Sequence, residues 1–266
     1  MKFVRRELGE AAEASNPGAP GMRREIFVLA GALLVLLVAG YASIGVVVEL
    51  ALPRISVARE RAWFGGWKTS ATTTAPGGDA AAWARAEAAL QKLAAQPGVP
   101  ALEYRLVLLD QAAPNAFAFP GGTIAITRGL LRVCGDDEVA LAFVLGHELG
   151  HFAHRDHLRA LGRTAGRTVA WAVIFGGTGD AVSAQTLNLM ELAHSRAQEE
   201  AADAFGAALV QRVYGRTAGA ERLFRWLEQR ENSPAWTAWL QTHPTSASRI
   251  ERLRDAVNPG AQTQAK

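Results

Sequence analysis

The sequence predicts a mostly helical α+β domain with a small sheet, carried behind one N-terminal transmembrane helix. Three features predict it: an uncharged apolar run from Ile26 to Val48, short extended segments broken by turn residues between Tyr104 and Thr127, and helical periodicity from Asp136 onward. With 266 residues there is room for one domain with a sizeable core plus an anchor, and too little for two ordinary catalytic domains.

Taken in order, residues 1–25 mix charge, Ala and a Pro-Gly-Ala-Pro-Gly cluster, and read as a short cytoplasmic tail. At about 1.5 Å per residue the run 26–48 reaches roughly 34 Å, enough to cross a bilayer and longer than the apolar region of about 7–15 residues in a cleavable signal peptide. Basic residues flank both ends, but Arg23 and Arg24 abut the span directly. They place the N-terminal side in the cytoplasm, so the expected setting is a single pass through a bacterial inner membrane with the folded domain on the periplasmic side. Residues 49–78 read as an arm and linker. The arm carries Trp63, Phe64 and Trp67, the mark of a segment packed on the domain or lying at the membrane interface, and the Thr/Ala/Pro/Gly stretch from Thr69 to Gly78 is the linker.

The domain is expected over residues 79–258. Asp79 should cap a helix running to about Gln96, ended by Pro97-Gly98. Tyr104 to Leu109 reads as a buried strand, and Asn115 to Thr127 as an extended pair turning at Pro120-Gly121-Gly122. Helices follow from Asp136 to about Ala160 and, after a Gly-rich break at Gly176 to Gly179, from about Asp180 or Ser183 to Tyr214; shorter ones are expected near Thr217 to Glu231 and Ser246 to Val257. Val169 to Phe175 is too short to cross a membrane and reads as a core helix end, with a membrane-dipping segment as the alternative. The Gln/Thr/Ala tail, 259–266, is expected to be disordered.

Composition excludes several classes. The net charge is +3 and no basic block stands out, so no nucleic-acid partner is expected. Cys134 is the single cysteine, which rules out an internal disulfide and a thiolate metal cluster. Any metal ligands must be His, Asp or Glu.

The segment that carries chemistry is Gly146-His147-Glu148-Leu149-Gly150-His151, an H-E-x-x-H inside an amphipathic helix opened by Asp136, Asp137 and Glu138. Positions i and i+4 of a helix lie about 40° apart around the axis and roughly 6 Å along it, so both imidazoles can reach one Zn²⁺. Glu148, one residue round, is placed to take a proton from the attacking water. A hydrolytic zinc site needs a third protein ligand and an open fourth position. Glu199 and Asp203 are again i and i+4 on one helix face, so Glu199 can ligate while Asp203 accepts an imidazole N–H and fixes the ring. Without the upstream histidines the same acids would read as solvated partners of Arg196 or Arg212.

His147-Glu148-Leu149-Gly150-His151, followed by Ser195-Arg196-x-x-Glu199-x-x-Ala202-Asp203-x-x-Gly206, resembles the gluzincin metallopeptidases of family forty-eight, which include the CAAX prenyl protease, HtpX, BepA and the mitochondrial Oma-type proteases. Asn115 to Gly122 with Thr127 to Leu131 is similar to that family's strand-and-turn signature, and Thr242-His243-Pro244 with Arg249-Ile250 to its C-terminal one. The segments stand in family order from about residue 80 to 257. The resemblance implies a zincin-like domain with one zinc ion per chain, Glu199 rather than Glu200 as third ligand, and Asp203 as the orienting acid. It also points to His243 as donor to the oxyanion, with the opposite arrangement, His243 plugging the open coordination position at rest, left open. Many members carry a second Glu where this chain has Ala201, and the stretch between His151 and Glu199 lacks the two full spans of HtpX-like members. This puts the chain closer to members with a soluble catalytic domain.

The expected function is a membrane-anchored zinc metalloendopeptidase acting on misfolded or loop-like polypeptides in envelope protein quality control. The hairpin from Asn115 to Thr127 suggests how substrate binds, with Asn115 and Phe117 on an exposed edge strand that adds a peptide through main-chain hydrogen bonds. A zinc-binding but inactive membrane chaperone or scaffold, and a hydrolase of some non-peptide amide, are the readings from other classes.

Overall fold

The computed structural model describes residues 20–66, 79–175, 194–216 and 243. The expected linker, the Gly-rich break, the two short C-terminal helices and the tail lie outside these residues.

Helix α1, Pro20–Ala51, contains the apolar run and extends it at both ends. It is long and apolar enough to cross a membrane, and none of its most apolar stretch is buried. A 3₁₀ turn, Leu52–Arg54, redirects the chain at Pro53 into the arm helix α2, Val57–Phe64, which Ser56 caps by accepting from the Arg59 N–H. Helix α3, Ala80–Ala94, follows the expected boundaries, but Asp79 makes no side-chain cap. Its carboxylate turns instead toward Arg128 and Arg132 at 3.5 and 3.8 Å. Two nearby guanidinium groups outcompete a backbone N–H for a carboxylate.

Among the described residues the sheet has three strands, β1 (Arg105–Leu109), β2 (Ala116–Phe119) and β3 (Thr123–Thr127), in the order β1-β3-β2. The β2–β3 hairpin is antiparallel, whereas β1 runs parallel to β3. Every residue of the central β3 is buried, as its continuous Ile-Ala-Ile character requires, and β2 is an edge. Thr127 then caps α4, Arg128–Cys134.

Helix α5, Glu138–Ala153, is capped by Asp137, which accepts from Val139 and Ala140 N–H, and it is buried from Val139 to Phe152. Such a helix belongs inside a domain. Leu145, Leu149 and Phe152 pack with Leu93 of α3, Ile124 and Ile126 of β3 and Leu209, so truncating any one of these leucines to Ala costs about 2–5 kcal/mol. One expectation is corrected here: the helix does not continue to Ala160. It ends at His154, Arg155 takes a left-handed φ of 61°, and α6, Asp156–Phe175, leaves in a new direction.

Helix α6 runs beside α1. Arg159 and Arg163 reach Glu49 at 2.7 and 2.9 Å, and Gly162 and Gly166 face Val48 and Ile44 so closely that a Cβ at Gly166 would lie 2.6 Å from Ile44 Cγ2. Val169 is 59% exposed, so it is no part of the core that had been expected from Val169 onward. Helix α7, Arg196–Tyr214, is shorter than the periodicity suggests. Ser195 and Gln198 form a reciprocal capping box that starts the helix there.

Candidate metal centre

The centre forms where α5 crosses α7. A Cβ on Gly206 would lie 2.7 Å from the His147 backbone nitrogen, and one on Gly150 would lie 2.8 Å from Ala202 Cα, so the two helices touch backbone to backbone over one turn. Small residues at both levels permit that approach, and it brings His147 and His151 opposite Glu199 and Asp203.

The ligand atoms converge. His147 Nε2 lies 3.1 Å from His151 Nε2, and Glu199 offers Oε2 at 3.5 Å from the first and Oε1 at 3.4 Å from the second. A tetrahedral ion with bonds of about 2.0–2.1 Å needs ligand atoms about 3.3 Å apart. The three spacings are close to that edge, with one Glu199 oxygen facing each imidazole. The other ring nitrogens are committed: His147 Nδ1 donates to Asp203 at 2.9 Å and His151 Nδ1 to Asp156 at 3.0 Å. Carboxylates only accept, so with Nδ1 donating, loss of the Nε2 proton leaves each ring with an Nε2 lone pair aimed into the centre. Such an array needs a positive charge at its centre, a proton or a metal ion, and the four side chains of His147, His151, Glu199 and His243 are close enough to hold a metal.

The protonation energetics tell the same story. Burial works against a charged His151, yet the hydrogen bonds with Asp156 and Glu199 outweigh it and raise its pKa to about 10. Burial lowers that of His147. For Glu199 burial opposes the charge, but attraction to His243 and His147 and the bond from His151 hold its carboxyl far below the usual range. His151 thus holds its proton when no metal is bound. It is the charge that a metal would replace.

Glu148 is 1% exposed, and its Oε1 has no hydrogen-bond partner among the described residues; His243 Nε2 is 3.7 Å away. A buried, unsatisfied carboxylate oxygen is costly in a passive core and is what a proton acceptor needs. His243 is buried within the same cluster. Its Nδ1 is 3.2 Å from His147 Nε2 and 3.2 Å from each Glu199 oxygen, so it stands where a fourth ligand could.

Asn115 is buried at the start of β2, where its backbone N–H donates to Thr127 Oγ1 and its side-chain oxygen accepts from Ala116 N–H. Phe117 and Phe119 are half-buried on the strand with their rings 6.5 Å apart, while Ile124 and Ile126 are wholly core. The β2 edge begins beside the centre, with the Ala116 carbonyl 3.4 Å from His243 Nε2. His194 stacks on His151 at 3.9 Å, and burial with the neighbouring rings pushes its pKa down to about 3.

Asp156 was not foreseen. The turn at Arg155 carries it back under His151, where Oδ1 is held by Arg159 and Gln198, both at 2.6 Å. No spacing rule marks such a residue, because a break in the helix places it. The crossing glycines did leave a signal, the four-residue spacing of Gly146 with Gly150 and of Ala202 with Gly206.

The model of peptidase family M48 matches residues 81–257. A protease HtpX homolog of Acidiphilium cryptum (strain JF-5) is 31% identical over 202 residues, covering 65% of this chain and 69% of the relative. The mitochondrial metalloendopeptidase OMA1 of Schizosaccharomyces pombe (strain 972) is 28% identical over 181 residues, 66% of this chain and 52% of the relative. A protease HtpX homolog of Aeropyrum pernix is 41% identical over 87 residues, 28% of this chain and 27% of the relative. The family match spans both ligand helices and the hairpin between α3 and α4, and on that ground the chain belongs to peptidase family M48 and is a metalloprotease.

Proposed function

We propose that the protein is a membrane-anchored zinc metalloendopeptidase that cleaves misfolded or loop-like polypeptide held in extended form, in envelope protein quality control. The observation that carries this reading is the convergence of His147, His151 and Glu199 at ligand spacing, beside a Glu148 Oε1 that has no hydrogen-bond partner among the described residues. Nitrogen and oxygen donors without thiolate suit zinc in a hydrolytic site. Zinc, when bound, polarises the scissile carbonyl and makes water acidic enough to attack at neutral pH.

The residues of the chain supply the rest. Glu148 takes the proton of the attacking water and returns it to the leaving amine nitrogen. Asp203 and Asp156 hold the two imidazoles in the tautomer that ligates. The β2 edge takes up a peptide by main-chain hydrogen bonds, with Asn115 ordering the start of the strand and Phe117 presenting an apolar face. His243, standing where a fourth ligand could, supports a resting state in which it closes the position that water needs. Helix α1 crosses the membrane once, and Arg23-Arg24 favours an external catalytic domain.

In detergent, the full chain should cleave casein; a zinc chelator should abolish cleavage and added zinc restore it. Cleavage that survives complete metal removal would refute the mechanism. A chain that binds zinc but leaves casein and unfolded proteins intact would instead fit a chaperone or scaffold. A reporter fused to the C-terminus and active only in the cytoplasm would reverse the orientation.

A further inference from the structure

The arm between α1 and the domain contains a residue that an inert spacer would not have. Along α2 only one residue is buried, and it is charged: Glu60 is 2% exposed while Arg59, Arg61 and Trp63 around it face outward. A helix normally buries apolar side chains, and a carboxylate is taken out of water only where partners are built to receive it. Here they are. Glu60 Oε1 accepts from the Gly121 backbone N–H at 3.0 Å and lies 2.8 Å from His157 Nε2. His157, itself buried, presents Nδ1 to the backbone carbonyl of His151 at 3.3 Å.

Both contacts end on working parts of the site. His151 is a metal-ligand position, and Gly121 is the turn of the β2–β3 hairpin whose edge adjoins the centre. The arm closes on that turn. A Cβ at Gly121, where φ is 84°, would lie 2.6 Å from the Phe64 backbone, and Arg105 Nη1 donates to the Gly65 carbonyl at 2.9 Å. Arg155, at the break after α5, reaches back to the Leu52 carbonyl at 2.6 Å. Burial opposes the charge on Glu60, but His157 and the Gly121 N–H outweigh it and keep its carboxyl below the usual range.

Resting on the protease reading above, we propose that Glu60 is a positioning residue for the metal site: through His157 it fixes the backbone of His151, and through Gly121 the hairpin that receives substrate. The juxtamembrane arm is therefore part of the catalytic unit. A chain beginning after the arm, near Thr69, lacks this support.

The test uses the full chain in detergent, with zinc retention against a chelator, kcat and KM on a peptide substrate, and melting of the metal-stripped protein as separate readouts. Glu60→Ala should lower both zinc retention and kcat by about 10–100-fold, the range for groups that support metal ligands. Glu60→Gln should stay within about threefold of the parent, because its amide oxygen can accept both contacts. Trp63→Ala, on the exposed face of α2, should match the parent. Gly121→Ala, which pushes the arm off the turn, should raise KM. Parent-like zinc retention and kcat in Glu60→Ala, with only a lower melting point, would overturn the proposal. If Glu60→Ala does not fold, an unchanged KM in Gly121→Ala overturns it instead. Should the parent cleave nothing, like Glu148→Gln, the protease reading fails, while zinc retention still decides the role of Glu60.

Discussion

Gly206→Ala perturbs the centre without touching a ligand. Its new methyl would stand 2.7 Å from His147 N, 3.0 Å from the Gly146 carbonyl carbon and 3.1 Å from His147 Cα, all backbone atoms, so no side chain can swing aside. Restoring ordinary contact requires α5 and α7 to separate by about 0.7 Å, and overpacking of this kind costs about 1–3 kcal/mol. At roughly 2–4 °C per kcal/mol for a domain of this size, melting should drop measurably. The metal should suffer more. The His–Glu199 spacings of 3.4 and 3.5 Å would stretch toward about 4.1 Å, beyond the edge of about 3.3 Å that a tetrahedral ion requires. Zinc affinity should fall by about 10–100-fold, read by chelator competition on protein shown to be folded. Affinity within about twofold of the parent, alongside lowered stability, would refute the idea that this crossing sets the ligand geometry.

Glu199→Ala should lose zinc while Glu200→Ala keeps it, since neighbours point about 100° apart on a helix and only Glu199 reaches both imidazoles; metal analysis showing equal retention would assign the wrong ligand. His243→Ala should retain zinc and raise casein cleavage, because it opens the fourth position; a fall in kcat of about 10²–10³ would mark it as the oxyanion donor instead. With its folded pKa raised from 6.5 to about 10, protonated His151 stabilises the metal-free protein fully below pH 6.5 and ceases to as pH rises through about 10. The metal-free melting point should therefore decline across that window, and zinc binding near pH 8 should release about one proton; calorimetry in buffers of different ionisation enthalpy that finds none would contradict this.

The meeting of these four side chains was legible because helical spacing converts directly into geometry. His147 with His151 and Glu199 with Asp203 needed only their i and i+4 relation and a helix to stand on. The hairpin was legible from Pro120-Gly121-Gly122 between apolar runs. What did not show depends on relations between segments. The parallel pairing of β1 with β3 leaves no local trace, the turn at Arg155 interrupts an unbroken helical pattern, and Asp156 becomes a partner of His151 only through that turn. The extended start expected for α7 overlooks Ser195 and Gln198, whose spacing is a capping signature. Glu60 sat in a charged segment where an acid on an exposed helix is the ordinary reading, and only its burial against His157 and Gly121 distinguishes it.

Glu148→Gln tests the central claim most directly, with metal content and casein cleavage measured on the same preparation. The substitution leaves His147, His151 and Glu199 in place and removes only the proton acceptor. The account predicts zinc bound as in the parent and cleavage reduced by about 10²–10⁴-fold, the usual worth of a general base. Cleavage within about tenfold of the parent, with zinc still bound, would contradict it.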